Sequence, residues 1–292
     1  MAQLGRRRVI EFEGLPELVD PVLIAAFEGW NDAGEASSGV IAHLEAMWKA
    51  TPLVELDPED YYDFQVTRPI VELGEGLTRS IIWPTTRLLL ARPPGAKRDV
   101  VLLRGIEPNM RWRSFCAEIV GLCHDLGVDL AIMLGALLND SPHTRPVPIV
   151  GSVSDPGLAR ALNLEMTKYE GPTGIVGVLQ HSLGSAGLQA MSLWASIPHY
   201  VAQPPNPKAT LALLRRIEDM LDIPMPYGEL AEEARAWEHG VDELASQDSE
   251  VAEYVKELEE RKDAADLPEA SGDAIAAEFE RYLRRRDRGT DG

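Results

Sequence analysis

The stretch that most constrains the fold runs from residue 22 to residue 44, VLIAAFEGWNDAGEASSGVIAHL. An apolar run closes at Phe27. A polar turn flanked by Gly29 and Gly34 follows, and small residues then lead into a second apolar run. Strand, glycine-flanked turn and helix, in that order, make the opening unit of an α/β chain. That reading predicts a helix over 35–49 and a strand in LVELD (53–57) after it.

Residues 100–202 repeat the rhythm. VVLLRG reads as a buried strand, MRWRSFCAEIVGLCHDLG as an amphipathic helix stopped by Gly127, and DLAIMLGALL as another strand. Beyond the proline-punctuated loop NDSPHTRPVP come a short strand in IVGSVSD and a short helix in PGLARALN. A strand in GIVGVLQ, a helix in GSAGLQAMSLWA and a last strand in SIPHYVA complete the pattern. Strands alternating with helices predict a mostly parallel sheet covered on both faces. Residues 61–91 break the rhythm, since YYDFQVTRPIV, SIIWP and TRLLLAR read as antiparallel hairpin strands at a sheet edge.

Residues 206–223 read as a helix begun by Asn206 with Pro207 at its first position. Beyond Pro226 the composition turns acidic and strand signals stop. Leu230, Ala234, Trp237, Val241, Leu244, Val251, Val255 and Leu258 recur at spacings of three and four, the stripe of a helical hairpin. SGDAIAAEFERYLRRR reads as a final helix. The expected organisation is an α/β core over 1–223, an acidic helical appendage over 224–285 and a disordered tail over 286–292.

Asp and Glu number 47 against 28 Lys and Arg, a formal charge of −19. That balance argues against nucleic acid, whose phosphates require clustered cations. No apolar run reaches the roughly 20 residues that cross a bilayer, and MAQLGRRRVIEFE lacks a signal peptide's apolar stretch. The expected location is the cytoplasm, with no membrane partner. Cys116 and Cys123 lie about 10 Å apart along one predicted helix, too far for a disulfide. Buried thiols are expected.

In an open parallel sheet, ligands bind beyond the carboxyl ends of the strands. Three polar loops occupy that position by sequence. The first carries Glu28, Asn31, Asp32 and Glu35; the second Arg104, Glu107, Asn109 and Arg111; the third Asn139, Asp140, Ser141, His143, Thr144 and Arg145. If their strands are neighbours, the loops meet in one cleft of carboxylates and guanidiniums. Binding candidates are Glu28, Gly29, Trp30, Asn31, Asp32, Gly34, Arg104, Glu107, Arg111, His143 and Arg145. Catalytic candidates are Asp32, Asp140 and His143, with His143 as general base and Arg104 or Arg145 orienting a carboxylate.

Each candidate has a structural counterpart reading. Gly29 and Gly34 permit positive φ, Asn31 or Asp32 caps the following helix, and His143 is a hydrogen-bonding strut. The first loop lacks both the dinucleotide and the P-loop glycine patterns, and its carboxylates would repel a phosphate. No His spacing supports zinc, and Ser185 in HSLGSAG is not a nucleophile elbow. No cofactor or metal is expected.

FEGWNDAG (27–34), RGIEPNMRW (104–112), PHTRPVP (142–148), GPTGIVGVLQ (171–180) and SLWASIPHYV (192–201) occur in order. Together they resemble the proteasome assembly chaperone 2 family, in its actinobacterial-type branch. The acidic YGELAEEARAWEHGVDEL is similar to that branch too, and the resemblance covers residues 8 to 285. It implies an α/β fold of three α/β/α layers around a mixed, mostly parallel sheet, akin to phosphorylase/hydrolase-like folds, with a helical appendage. It also implies a cytoplasmic, self-associating protein. Eukaryotic and archaeal relatives are chaperones that bind proteasome α-subunits, several through a terminal hydrophobic–Tyr–any-residue tail. This chain ends RRRDRGTDG, so contact with a proteasome would use another surface.

Two functions follow. The first is a non-enzymatic assembly chaperone or interaction protein, binding proteasome subunits or another protein. The alternative is a small-molecule hydrolase, group-transfer enzyme or binder using the three-loop cleft. Trp83, Trp194 and the appendage stripe favour a homo-oligomer in both, with a trimeric ring as the expectation.

Overall fold

Every residue from Val22 to Phe27 is buried, and successive side chains serve opposite faces of one sheet. Val22, Ile24 and Ala26 enter one apolar cluster; Leu23, Ala25 and Phe27 enter the other. A strand buried on both faces requires helices on both sides. The computed structural model describes residues 8–9, 15–74, 78–153, 155–162, 164–166 and 169–266.

The elements in chain order begin with β1 (Arg8–Val9), β2 (Val22–Glu28), α1 (Ala36–Met47) and β3 (Thr51–Glu55). Then come β4 (Ile70–Leu73), β5 (Arg79–Ile82), β6 (Thr86–Ala91), β7 (Val100–Ile106) and α2 (Trp112–Leu126). β8 (Leu130–Asn139), β9 (Ile149–Val153), α3 (Pro156–Leu162) and β10 (Glu165–Met166) follow. The chain continues through α4 (Ile175–Ser185), β11 (Gln189–Pro198), α5 (Pro207–Leu221), α6 (Leu230–Gln247) and α7 (Ser249–Asp266).

One nine-stranded sheet has the order β1-β3-β6-β7-β2-β8-β11-β9-β10. Its centre, β7-β2-β8-β11, is parallel. Antiparallel pairs join β1 to β3, β3 to β6, β6 to β7 and β9 to β11. One face is covered by α1, α3 and α5, with the start of α6 beside them; α2 and α4 cover the other. The fold is the expected three-layer α/β/α arrangement. Each Leu, Ile or Phe fully buried here contributes about 1.5–3 kcal/mol.

Opposite Trp194 of β11 stands Gly135 of β8. A Cβ built at 135 would lie 2.5 Å from the Trp194 ring, so only glycine leaves room for the indole. Trp194 is partly buried, its ring packed against the apolar cluster on the α2 and α4 face.

Local readings hold where caps and glycines speak. Gly127 ends α2 at φ +71, and Asn206 Oδ1 accepts from Ala209 N at 3.0 Å to start α5. Between 173 and 201 the expectation was inverted. GIVGVLQ is the helix α4, whose buried Ile175, Val176, Leu179 and Leu183 repeat at helical spacing. The stretch read as a helix, GSAGLQAMSLWA, ends α4 and supplies most of β11; SIPHYVA completes the strand and turns through His199–Val201. Burial overrode propensity in both places, β-branched residues entering a helix and Gln, Ala, Met and Leu a strand.

β4 and β5 leave the main sheet and, among the described residues, pair only with each other. At the other end, α6 and α7 form the expected helical hairpin. Leu230 and Ala234 join the core cluster, and Val241, Ala245, Val255 and Leu258 are buried beyond them. Among the described residues, no helix is long and apolar enough to cross a membrane. The predicted final helix in SGDAIAAEFERYLRRR and the 286–292 tail lie outside the described residues.

Candidate functional site

β7, β2 and β8 are neighbours, so the three polar loops leave one edge of the sheet. The first is shaped by Gly29 at φ +123 and Gly34 at φ +63. A side chain at 34 would press within 3.0 Å of Asn206 Cβ. Asp32 closes the turn onto α1. Its Oδ1 accepts from Ser37 N (2.7 Å), Ser37 Oγ (2.5 Å) and Ser38 N (3.2 Å). Asp32 is thus a helix-capping carboxylate, and Oδ1 is saturated.

Asn31 ties this loop to its neighbours. Its carbonyl accepts from Ala136 N of β8 at 2.8 Å, and its Nδ2 donates to Glu107 Oε1 at 2.8 Å. Glu107 Oε1 also accepts from Ile175 N at 2.8 Å, which places a carboxylate on the first turn of α4. Glycine at 174 lets the chain pass close to Asn31, since a Cβ there would lie 2.3 Å from Asn31 Oδ1 and displace its amide. Asn31 and Asp32 are buried, and among the described residues Asn31 Oδ1 and Asp32 Oδ2 have no donor partner. Glu28 pairs with Arg104 at 3.4 Å, and Arg104 reaches Glu45 at 3.5 Å. Arg111 pairs with Asp60. Trp30 stands 68% exposed on the rim.

The third loop turns away from these two and is gripped by the helical hairpin. His143 is 3% exposed. Its Nδ1 lies 2.7 Å from Tyr200 Oη and its Nε2 3.0 Å from Asp242 Oδ1. Tyr200 Oη also accepts from His143 N at 2.8 Å. Tyr200 therefore donates to Nδ1, and Nε2 carries the proton toward Asp242. Both ring nitrogens are engaged, as in a strut. Burial foremost pushes the Tyr200 hydroxyl up to about 12.

Arg145 forms a two-pronged pair with Asp263 (2.9 and 2.8 Å) and reaches Glu259 at 3.2 Å. The hydrogen bonds between Arg145 and Asp263 raise the guanidinium's pKa and lower the carboxyl's. Tyr254 donates to Asp140 at 3.0 Å, and Thr144 bonds Glu259. Lys208 spans His143 O and Glu238.

The structure thus joins Glu28, Asn31, Asp32, Arg104 and Glu107 through two loops, and sets Asp140, His143 and Arg145 in a separate junction. Sequence reasoning did not find Tyr200, Asp242, Glu259 or Asp263. Glu259 and Asp263 are four apart on α7, one helical face, which is a visible signal, but nothing local names Arg145 as their partner. Among the described residues, no group of three or more His, Cys, Asp or Glu is placed to hold a metal.

Comparison with known proteins agrees with this architecture. No functionally curated protein matches the chain. A Streptomyces avermitilis protein of the PAC2 family is 63% identical over 81% of this chain and 100% of its own, with a TM-score of 0.77. A Mycobacterium tuberculosis protein described as a proteasome-assembly chaperone homologue is 53% identical over 80% of this chain and 99% of its own, with a TM-score of 0.74. The Pyrococcus furiosus protein PbaA, an archaeal homologue of proteasome-assembly chaperone, shares the fold. Its TM-score is 0.58 and its identity 16%, over 88% of this chain and 100% of its own. The PAC2 family model matches residues 26–245, and the chain belongs to the PAC2 family.

Proposed function

We propose that this protein is a non-enzymatic assembly factor whose work is done by surfaces, acting in the cytoplasm as a self-associated ring. Proteasome subunits are the partner class that kinship with chaperone homologues suggests. One observation carries the reading. The β4–β5 arm presents aliphatic side chains on both faces, pairing Ile70 with Ile82 and Val71 with Ile81. All four are exposed, as are Leu73 and Trp83. A two-stranded ribbon is marginal by itself, and a contiguous apolar surface of this kind marks a protein contact. The polar rim supports the same reading, because its carboxylates and guanidiniums are engaged in holding loops together. The outer face of α6 and α7, with Glu232, Glu233, Glu250 and Glu253 exposed, suits a basic partner and a salt-sensitive association.

The arm is assigned to contact between copies, with three copies closing a ring. Light scattering on the full chain tests it, with a trimer expected and a smaller species for Ile70→Ser/Ile82→Ser. A monomeric parent protein overturns the ring. Co-elution with α-subunits of the proteasome from the same cell at low salt, lost at high salt, tests the partner. Absence of co-elution with both components folded overturns that assignment.

A further inference from the structure

A second surface lies away from the rim, where α5, α6 and the entry to β9 enclose a groove of about 410 Å³. Val147, Ile149, Leu211 and Ala234 form its apolar part, and its charged lining carries an excess of cations. Four cations, Lys208, Arg215, Arg216 and Arg235, face two carboxylates, Asp219 and Glu238. The chain as a whole carries −19, so a local cationic excess is a concentrated exception.

The cations differ in how far they are committed. Lys208 is held by Glu238 at 2.9 Å. Arg215 lies 5.9 Å over the Tyr227 ring. Among the described residues, Arg235 reaches only Glu232, at 3.9 Å with both side chains exposed, a pair worth little in water. Arg216 is half-buried and, among the described residues, forms no ion pair within 4.0 Å. A half-buried guanidinium beside apolar side chains gains most from an anion that brings its own apolar surface.

We propose that this groove binds a monocarboxylic acid with a short aliphatic chain, its carboxylate on Arg216 and Arg235 and its chain on the apolar part. The volume falls in the range of small-molecule sites and corresponds to about a dozen water-sized groups. Asp219 and Glu238 in the lining disfavour a dianion such as phosphate. A peptide would need backbone partners, but β9 is already paired on both sides, with β11 and β10, and the groove's polar lining consists of charged side chains. A free acid needs neither.

Calorimetric titration of the full-length protein with octanoate at low salt is the test. Octanoate is expected to bind saturably, at least about tenfold more tightly than octanol, a charge-assisted contact being worth about 1.4 kcal/mol or more. Arg216→Ala, shown to melt at the parent temperature, is expected to weaken octanoate binding about tenfold, and Arg113→Ala on α2 to leave it unchanged. Equal binding of octanol, equal binding by Arg216→Ala, or tighter binding of inorganic phosphate overturns the proposal. So does tighter binding of a peptide ending in a free carboxylate. Oligomer formation is read separately by light scattering, so failure here is distinct from failure of the arm assignment.

Discussion

Glu107 Oε1 accepts two hydrogen bonds of equal length, from Asn31 Nδ2 and from Ile175 N, each at 2.8 Å. One carboxylate oxygen therefore links the loop after β2, the loop after β7 and the first turn of α4. Removing it leaves two donors without their partner in a partly buried setting. Glu107→Ala is expected to destabilise the chain by about 2–3 kcal/mol, the scale of hydrogen bonds to a charged acceptor. Glu107→Gln keeps an acceptor oxygen and should lose less. Urea denaturation of the three proteins measures both.

Asp32 is expected to matter for α1 on the scale of a capping residue. Asp32→Ala should cost about 1–2 kcal/mol, and Asp32→Asn, which keeps an acceptor for Ser37 N, should cost less. The same titration reads this pair.

Gly135 and Trp194 make a steric pair across neighbouring parallel strands. Gly135→Ala drives a methyl against the indole and is expected to destabilise by about 1–3 kcal/mol. Adding Trp194→Leu should restore part of that loss, so the double variant falls short of the summed single effects. Thermal melts of the four proteins give the coupling.

Docking of α7 should respond to acid. Asp263 sits below its ordinary value of 3.8 because of the hydrogen bonds from Arg145. A carboxylate with a lowered native value contributes stability above its unfolded value and loses it as pH falls through the native one. The contribution is thus complete at neutral pH and fades below about 3.8. Asp263→Asn should lower the melting temperature near neutrality and lose less than the parent on acidification, measured by circular dichroism.

The two cysteines should be inert in the native protein. Burial pushes the Cys123 thiol up to about 12 and raises that of Cys116, and both are buried. A thiol reagent at about pH 8 should label neither until denaturant is added. Rapid labelling of the folded chain would contradict this packing.

Legibility in the sequence followed the range of the interaction concerned. The β2–turn–α1 unit, the Gly127 stop and the Asn206 cap rest on contacts a few residues apart, and each could be read from local chemistry. The inversion between α4 and β11 came from segments whose propensities oppose their burial. Ile175 and Val176 enter a helix because Leu179 and Leu183 complete its buried face. The His143 junction was hidden because Asp242 and Glu259 lie about a hundred residues from the loop they hold. Trp30 and Asn31 looked alike as candidates, yet one is exposed and the other sealed beside Gly174.

The seam between Gly34 and Asn206 also bears on the order in which the chain matures. Asn206 N bonds Gly34 O at 2.8 Å, and Thr210 Oγ1 bonds Ala36 O at 3.1 Å across 174 positions of sequence. The start of α1 therefore stays incompletely covered until α5 has been synthesised. Contacts of such separation slow folding. During translation the first unit waits with one side open, and arrival of residues 206–210 is the step that shuts it.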